Sequence, residues 1–145
     1  MNYLHLVDTD SVVFSQNEEE GTLPTGTMLG RFQSELKPGE HITYWACGGP
    51  KSYSYRTNLG KEVFKVKGLT INASNADIFK LENLQEMVID NSIVHQVLSP
   101  YKILRVKGSF ELLSKPQTKI FRFTFDKRRI LGDKISTVPF GFLSG

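Results

Sequence analysis

Asp8-Thr9-Asp10-Ser11 sets two carboxylates one residue apart. Carboxylate oxygens are the donors that hard cations such as Mg²⁺ prefer. Two acids so placed can share divalent cations and hold one side of a two-metal centre. The flanks say how they are presented. Tyr3-Leu4-His5-Leu6-Val7 leads in and Val12-Val13-Phe14 leads out. Both runs are rich in the β-branched and aromatic residues that suit a pleated strand, so the spacing predicts a hairpin with the acids at its tip. The same four residues also suit a plain turn, because Asp and Ser side chains bond the local backbone in hairpins.

A second group carries a different chemistry. Gly49-Pro50-Lys51-Ser52-Tyr53-Ser54-Tyr55 is followed by Lys65-Val66-Lys67-Gly68. Alternation predicts neighbouring strands that present Lys51, Lys65 and Lys67 beside Tyr53 and Tyr55. Lysines neutralise phosphates as point charges, and tyrosines hydrogen-bond or stack on sugar and base. Gly48-Gly49 would let a backbone phosphate approach the chain closely. The competing reading is a solvated sheet face with tyrosines packed beneath it.

The whole composition permits both groups to sit on a packed scaffold. The chain has 145 residues, enough for one domain or a large piece of a bigger protein. Hydrophobic residues make up 39%, with ten Phe, which argues against disorder. A formal charge of +3 allows an anionic partner without demanding one. Glu18-Glu19-Glu20 is an acidic run in an early loop, and Lys127-Arg128-Arg129 is a basic cluster that reads as a solvated face. Cys47 is the single cysteine, so no internal disulfide forms and a reducing, intracellular setting is favoured. Its flanks, Trp45-Ala46 and Gly48-Gly49, suggest a strand end rather than a nucleophile. His5, His41 and His95 lack metal-ligand spacing. No signal peptide is visible, and no apolar run approaches the roughly 20 residues that span a bilayer.

The elements expected to position these residues are mostly strands. Residues 16–27 read as a long loop, and 28–36 as a short helix or irregular turn ending at Pro38-Gly39. Strands over 41–47, 51–56 and 62–67 are short and turn-connected, which predicts a small antiparallel meander. In the first of them Ile42, Tyr44 and Ala46 share a face. The period then changes. Phe79, Leu84, Met87 and Val88, with Leu81 nearby, predict one main helix over 77–90, with Asn75 as its cap. Residues 102–107, 110–113 and 119–125 read as strands, the last with Phe121, Phe123 and Phe125 on one core face. The class is α+β with strands predominating.

In this order the pieces resemble the C-terminal part of family B DNA polymerases. They look most like the protein-primed branch of linear plasmids, some viruses and large DNA transposons. Leu6-Val7-Asp8-Thr9-Asp10-Ser11 is similar to that family's third palm motif, Tyr-x-Asp-Thr-Asp-Ser, with Leu6 in place of the tyrosine. Lys51-Ser52-Tyr53 is similar to its Lys-x-Tyr motif between palm and thumb. Lys65 to Gly68 looks like the lead into the thumb. Thr137-Val138-Pro139-Phe140-Gly141-Phe142 resembles the ending of the transposon-type enzymes.

The resemblance implies residues 1–60 as the end of a palm and 61–145 as a thumb-like region. It implies that Asp10 ligates catalytic Mg²⁺ directly and that Asp8 is an acidic neighbour, with Thr9 and Ser11 shaping the turn. Lys51, Tyr53, Lys65 and Lys67 would hold primer–template DNA, deoxynucleoside triphosphates would be substrates, and a terminal priming protein is a further partner the branch can use. The implied activity is DNA-directed DNA polymerisation in replication. The upstream palm acid and the fingers helix do not precede Met1, so the isolated chain is expected not to polymerise. Two other readings stay open: a non-catalytic DNA-binding remnant of a mobile element or virus, and an unrelated α+β interaction module.

Overall fold

The computed structural model describes residues 3–17, 23–133 and 136–141. The Glu18-Glu19-Glu20 run and Phe142 lie outside them. The fold is α+β and β-rich: among the described residues there are four small antiparallel sheets and one α-helix. Backbone contacts divide the chain into two compact units, residues 1–41 and 42–145. None of the described helices is long and apolar enough to cross a membrane.

In the first unit β1 (Tyr3–Asp8) pairs antiparallel with β2 (Ser11–Ser15), as the alternation predicts. Residues 28–36 are an irregular turn rather than a helix, closed by Arg31 N–H donating to the Met28 carbonyl at 3.1 Å and Gly26 N–H to the Phe32 carbonyl at 2.9 Å.

The second unit contains the expected meander, in the order β3 (Ile42–Gly49), β4 (Ser52–Thr57), β5 (Glu62–Lys65). The residue-60 division implied by the resemblance falls at the turn joining β4 to β5. Cross-strand register pairs Ala46 with Ser54 and Ser54 with Phe64, and this face carries the core. Ser54 is fully buried there, and its hydroxyl donates to the Val63 carbonyl at 3.0 Å, which removes the cost of burying it. A register shift between Ile42 and Tyr44 breaks the simple alternation, and Tyr44 is exposed while Ala46 is buried.

Helix α1 (Leu81–Ile89) packs Leu81, Leu84 and Met87 against that face. Each such side chain contributes roughly 1.5–3 kcal/mol on burial. The helix starts four residues later than its period suggests. Asn75 is no cap; it is buried in the preceding turn, where its side chain accepts the Asn72 N–H at 2.8 Å and donates to the Thr70 carbonyl at 2.9 Å. Phe79 joins the core from this turn, and Val88 faces outward.

The segments expected as three strands form one long hairpin, β6 (Val94–Arg105) with β7 (Leu112–Arg122). Pro100 and Pro116 hid its continuity. Proline donates no ladder bond, and both sit where the register shifts between Ser99 and Lys102. A ribbon of two strands tolerates this. Its inner half places Val97 and Phe121 in the core and Phe123 against it, whereas Phe125 turns out and stacks on Phe123 at 6.1 Å. Its outer half alternates half-buried and exposed positions on β6 and is mostly exposed on β7. A last pair, β8 (Arg128–Ile130) with β9 (Thr137–Pro139), is tied by the Arg128 guanidinium donating to Thr137 Oγ1 at 2.7 Å.

Candidate nucleic-acid interface and acidic hairpin

Asp8 ends β1, and Asp8 pairs with Ser11 to close a two-residue loop of Thr9 and Asp10. Thr9 has φ +58°, while Asp10 keeps an ordinary negative φ, the sign pattern of a type II′ hairpin turn. Glycine favours that position and a β-branched residue strains it. Ser11 Oγ donates to the Asp8 carbonyl at 3.1 Å, and Thr9 Oγ1 to Asp8 Oδ1 at 3.4 Å. Asp8 is half-buried and Asp10 exposed. Leu6 sits opposite Val13 on β1.

Asp8 and Asp10 carry two carboxylates at one hairpin tip. Among the described residues no group of three or more His, Cys, Asp or Glu gathers to hold a metal. Carboxylates are oxygen donors of the kind Mg²⁺ takes, with water or phosphate filling the rest of its shell.

The lysine and tyrosine motifs lie in the second unit. On the face of the meander opposite the core, Tyr53 pairs directly with Lys65 and Tyr55 with Val63. Trp45 stacks on Tyr53 at 5.2 Å and on Tyr55 at 6.3 Å. Trp45 belongs to this aromatic row, and its place one strand over from alternating tyrosines was the available signal. Tyr55 is only 8% exposed, so it packs rather than presents itself. Lys51 is exposed in the β3–β4 turn, and Lys67 is exposed just beyond β5. Because Tyr53 opposes Lys65, the antiparallel register sends Lys51 and Lys67 to the same end of the sheet.

That end opens into a cleft of about 320 Å³. Gly48, Gly49 and Pro50 form one wall, residues 66–69 another, and the end of β7 with the segment after it a third. Lys67, Lys119, Arg122 and Lys127 line it against a single acid, Asp126. Among the described residues Lys67, Arg122 and Lys127 form no ion pair. Lys119 Nζ donates to the Gly68 carbonyl, which fixes one cation at the rim. Lys119 and Arg122 escaped sequence reasoning because β7 brings them to the motif from more than 50 residues away. Low-dielectric walls around one sign of charge concentrate anions.

Gly48 and Gly49 serve the chain itself rather than a ligand. The Gly48 carbonyl accepts the Thr124 N–H at 2.9 Å. A Cβ on Gly49 would lie 2.2 Å from the Thr124 carbonyl oxygen, and one on Gly48 2.7 Å from Leu84 Cδ1. The close approach these glycines permit is therefore occupied by protein. Cys47 is half-buried and its Sγ donates to the Gly49 carbonyl at 3.5 Å; burial pushes its thiol up, away from nucleophilic use. His5 pairs with Ser15 Oγ at 3.0 Å.

No protein-family model, curated protein or solved structure matches this chain.

Proposed function

We propose that this chain is the DNA-holding, C-terminal palm-and-thumb part of a protein-primed family B DNA polymerase, with Asp8 and Asp10 forming one side of its two-metal centre. The observation that carries the reading is the cationic cleft. Gly48 to Pro50 of the first motif and Val66 to Gly68 of the second border one opening lined by Lys67 and, from far along the sequence, Lys119, Arg122 and Lys127; Lys51 and Lys65 stand outside its lining. Lys65 beside Tyr53 adds a charge and a ring suited to a sugar-phosphate chain. Such contacts position a strand without reading its sequence. Mg²⁺, when bound, would supply charge stabilisation at the transferred phosphate and activation of the primer 3′ hydroxyl. This chain's part is to fix Asp8 and Asp10 on a rigid two-residue loop and to hold the primer strand.

The test uses a fluorescent recessed primer–template and the 145-residue chain. Binding is measured by anisotropy across a salt series. Lys51→Ala, Lys67→Ala and Arg122→Ala are each expected to weaken binding and reduce the log–log salt slope by about 0.9. Unchanged binding and slope in all three would overturn the DNA-holding role. The acidic pair is tested separately with Mn²⁺ by nuclear magnetic resonance. Paramagnetic broadening centred on Asp8 to Ser11 and lost in Asp10→Ala supports the metal role, and its absence leaves DNA binding without catalysis as the function.

A further inference from the structure

The outer half of the β6–β7 ribbon has features that a cleft for DNA does not use. Lys102 stands directly opposite Lys115, and Leu104 directly opposite Leu113, on the same face. On the other face Ile103 is 69% and Leu112 67% exposed, and Phe110 beyond β6 is 97% exposed. Among the described residues no third strand pairs with either outer edge of this two-stranded sheet. Arg105 and Lys107 add charge towards the tip, where Arg105 to Phe110 line an open hollow of about 490 Å³. Glu111 is the only acid in residues 101–115. Among the described residues none of these four cations has an ion pair.

Like charges directly opposite each other destabilise an antiparallel pair. Lysines on an edge also repel a neutral or basic strand, which protects against self-association. An acidic strand meets the opposite situation: the same two lysines attract it. The exposed aliphatic side chains distinguish among anionic partners. Leu, Ile and Phe gain little from a phosphate backbone, whereas apolar side chains of a peptide bury them. We propose that the outer half of this ribbon docks an acidic, apolar-anchored extended peptide of a partner protein, laid alongside as a third strand. Side chains of a strand repeat every second residue on one face. The incoming segment lies beside β6 or β7 and therefore carries an acid beside Lys102 or Lys115, and an apolar residue two positions along beside Leu104 or Leu113.

The experiment uses the 145-residue chain and an eight-residue, fluorescein-labelled peptide, Asp-Asp-Leu-Leu-Asp-Asp-Leu-Leu, which as a strand alternates Asp and Leu along each face. Saturable binding is expected, with amide exchange slowed at residues 102–105 or 112–115. The double variant Lys102→Glu/Lys115→Glu is expected to weaken binding at least about tenfold, equivalent to roughly 1.4 kcal/mol. Lys61→Glu, a charge reversal outside the ribbon, is expected to leave it unchanged. No saturable binding, equal losses in both variants, or no slowed exchange on the ribbon overturns the proposal. So does tighter binding of a Lys–Leu peptide of the same length. Displacement of the peptide from the ribbon by duplex DNA, with Lys102→Glu/Lys115→Glu weakening the DNA more, would assign the surface to nucleic acid and overturn it too.

Discussion

Glu62 Oε1, at the start of β5, accepts the backbone N–H of Leu81 at 3.0 Å, 19 residues along the chain. Leu81 is the first residue of α1, and its N-cap, Lys80, offers no side-chain cap. The first N–H groups of a helix have no intrahelical partner, and a carboxylate there also meets the positive end of the helix dipole. A strand residue thus caps the helix that packs on its own sheet. Arg56 on β4 binds the other oxygen of Glu62 at 2.6 Å and also reaches Glu82 in the first helical turn. Glu62→Ala is expected to lower stability by roughly 1–2 kcal/mol, the size of a lost N-terminal cap. Glu62→Gln keeps an acceptor for Leu81 and is expected to lose clearly less. Urea unfolding of both variants checks this, and equal losses would move the weight from the cap to the charge pair.

Exposed carboxylates at the two ends of α1 predict a direction with pH. Hydrogen bonding from the Arg56 guanidinium holds the Glu82 carboxyl below its ordinary range, and Lys80 does the same for Asp77. Two donors from Ser92 lower Asp90. Each group has a lower pKa folded than unfolded, so the unfolded chain binds more protons as pH falls. Their stabilisation is therefore complete above the unfolded carboxylate pKa and is lost as pH drops through the folded values. These groups are solvent-exposed, so the slope is shallow. Stability measured from neutral pH down to acid should fall gently, and Glu82→Gln should flatten the fall. A rise on acidification would refute the assignment.

The hairpin, the meander and the existence of one helix were legible because alternation and turn residues act locally. The limits of that legibility are equally physical. The helix start depended on Glu62, a residue of another element, and Asn75 looked like a cap while it was fixing a turn. Pro100 and Pro116 split one ribbon into apparent pieces. Spacing gave the strand and turn positions of Lys51, Tyr53, Lys65 and Lys67, and of these four Lys67 lines the cleft. Lys119 and Arg122 were not readable from spacing, because only the β7 pairing carries them to the cleft. Tyr55 alternated correctly, but its burial is a tertiary property that alternation does not report.

Gly48 and Gly49 looked like a site for a ligand backbone and turn out to hold the junction of β3, α1 and the segment after β7. Gly49→Ala places a Cβ 2.2 Å from a backbone carbonyl at φ +138°, so neither rotation nor a side-chain shift relieves it. A loss of about 3 kcal/mol or more is expected from strain and overpacking together. Gly48→Ala clashes with a methyl of Leu84, a side chain that can shift, but Leu84 is fully buried and must move within the core. A loss of roughly 1–2 kcal/mol is expected there. Thermal unfolding should rank the two in that order. The reverse ranking would mean that the Thr124 segment yields more easily than the helix.

Thr9 links strain to the acidic tip. Its φ of +58° places a β-branched residue where glycine is at ease. Thr9→Gly should relieve this and stabilise the hairpin by roughly 0.5–1 kcal/mol, read as slower amide exchange across Asp8 to Ser11. Thr9→Val keeps the branch and loses the hydroxyl that donates to Asp8 Oδ1, so it should not stabilise. The two variants also separate strain from function. If the rigid, strained loop serves to hold Asp8 and Asp10 for a cation, Thr9→Gly should weaken Mn²⁺ broadening at the tip even as the hairpin gains stability. Unchanged or stronger broadening in the stabilised variant would show that the strain does nothing for the acids, and that the Thr9 conformation belongs to the turn alone.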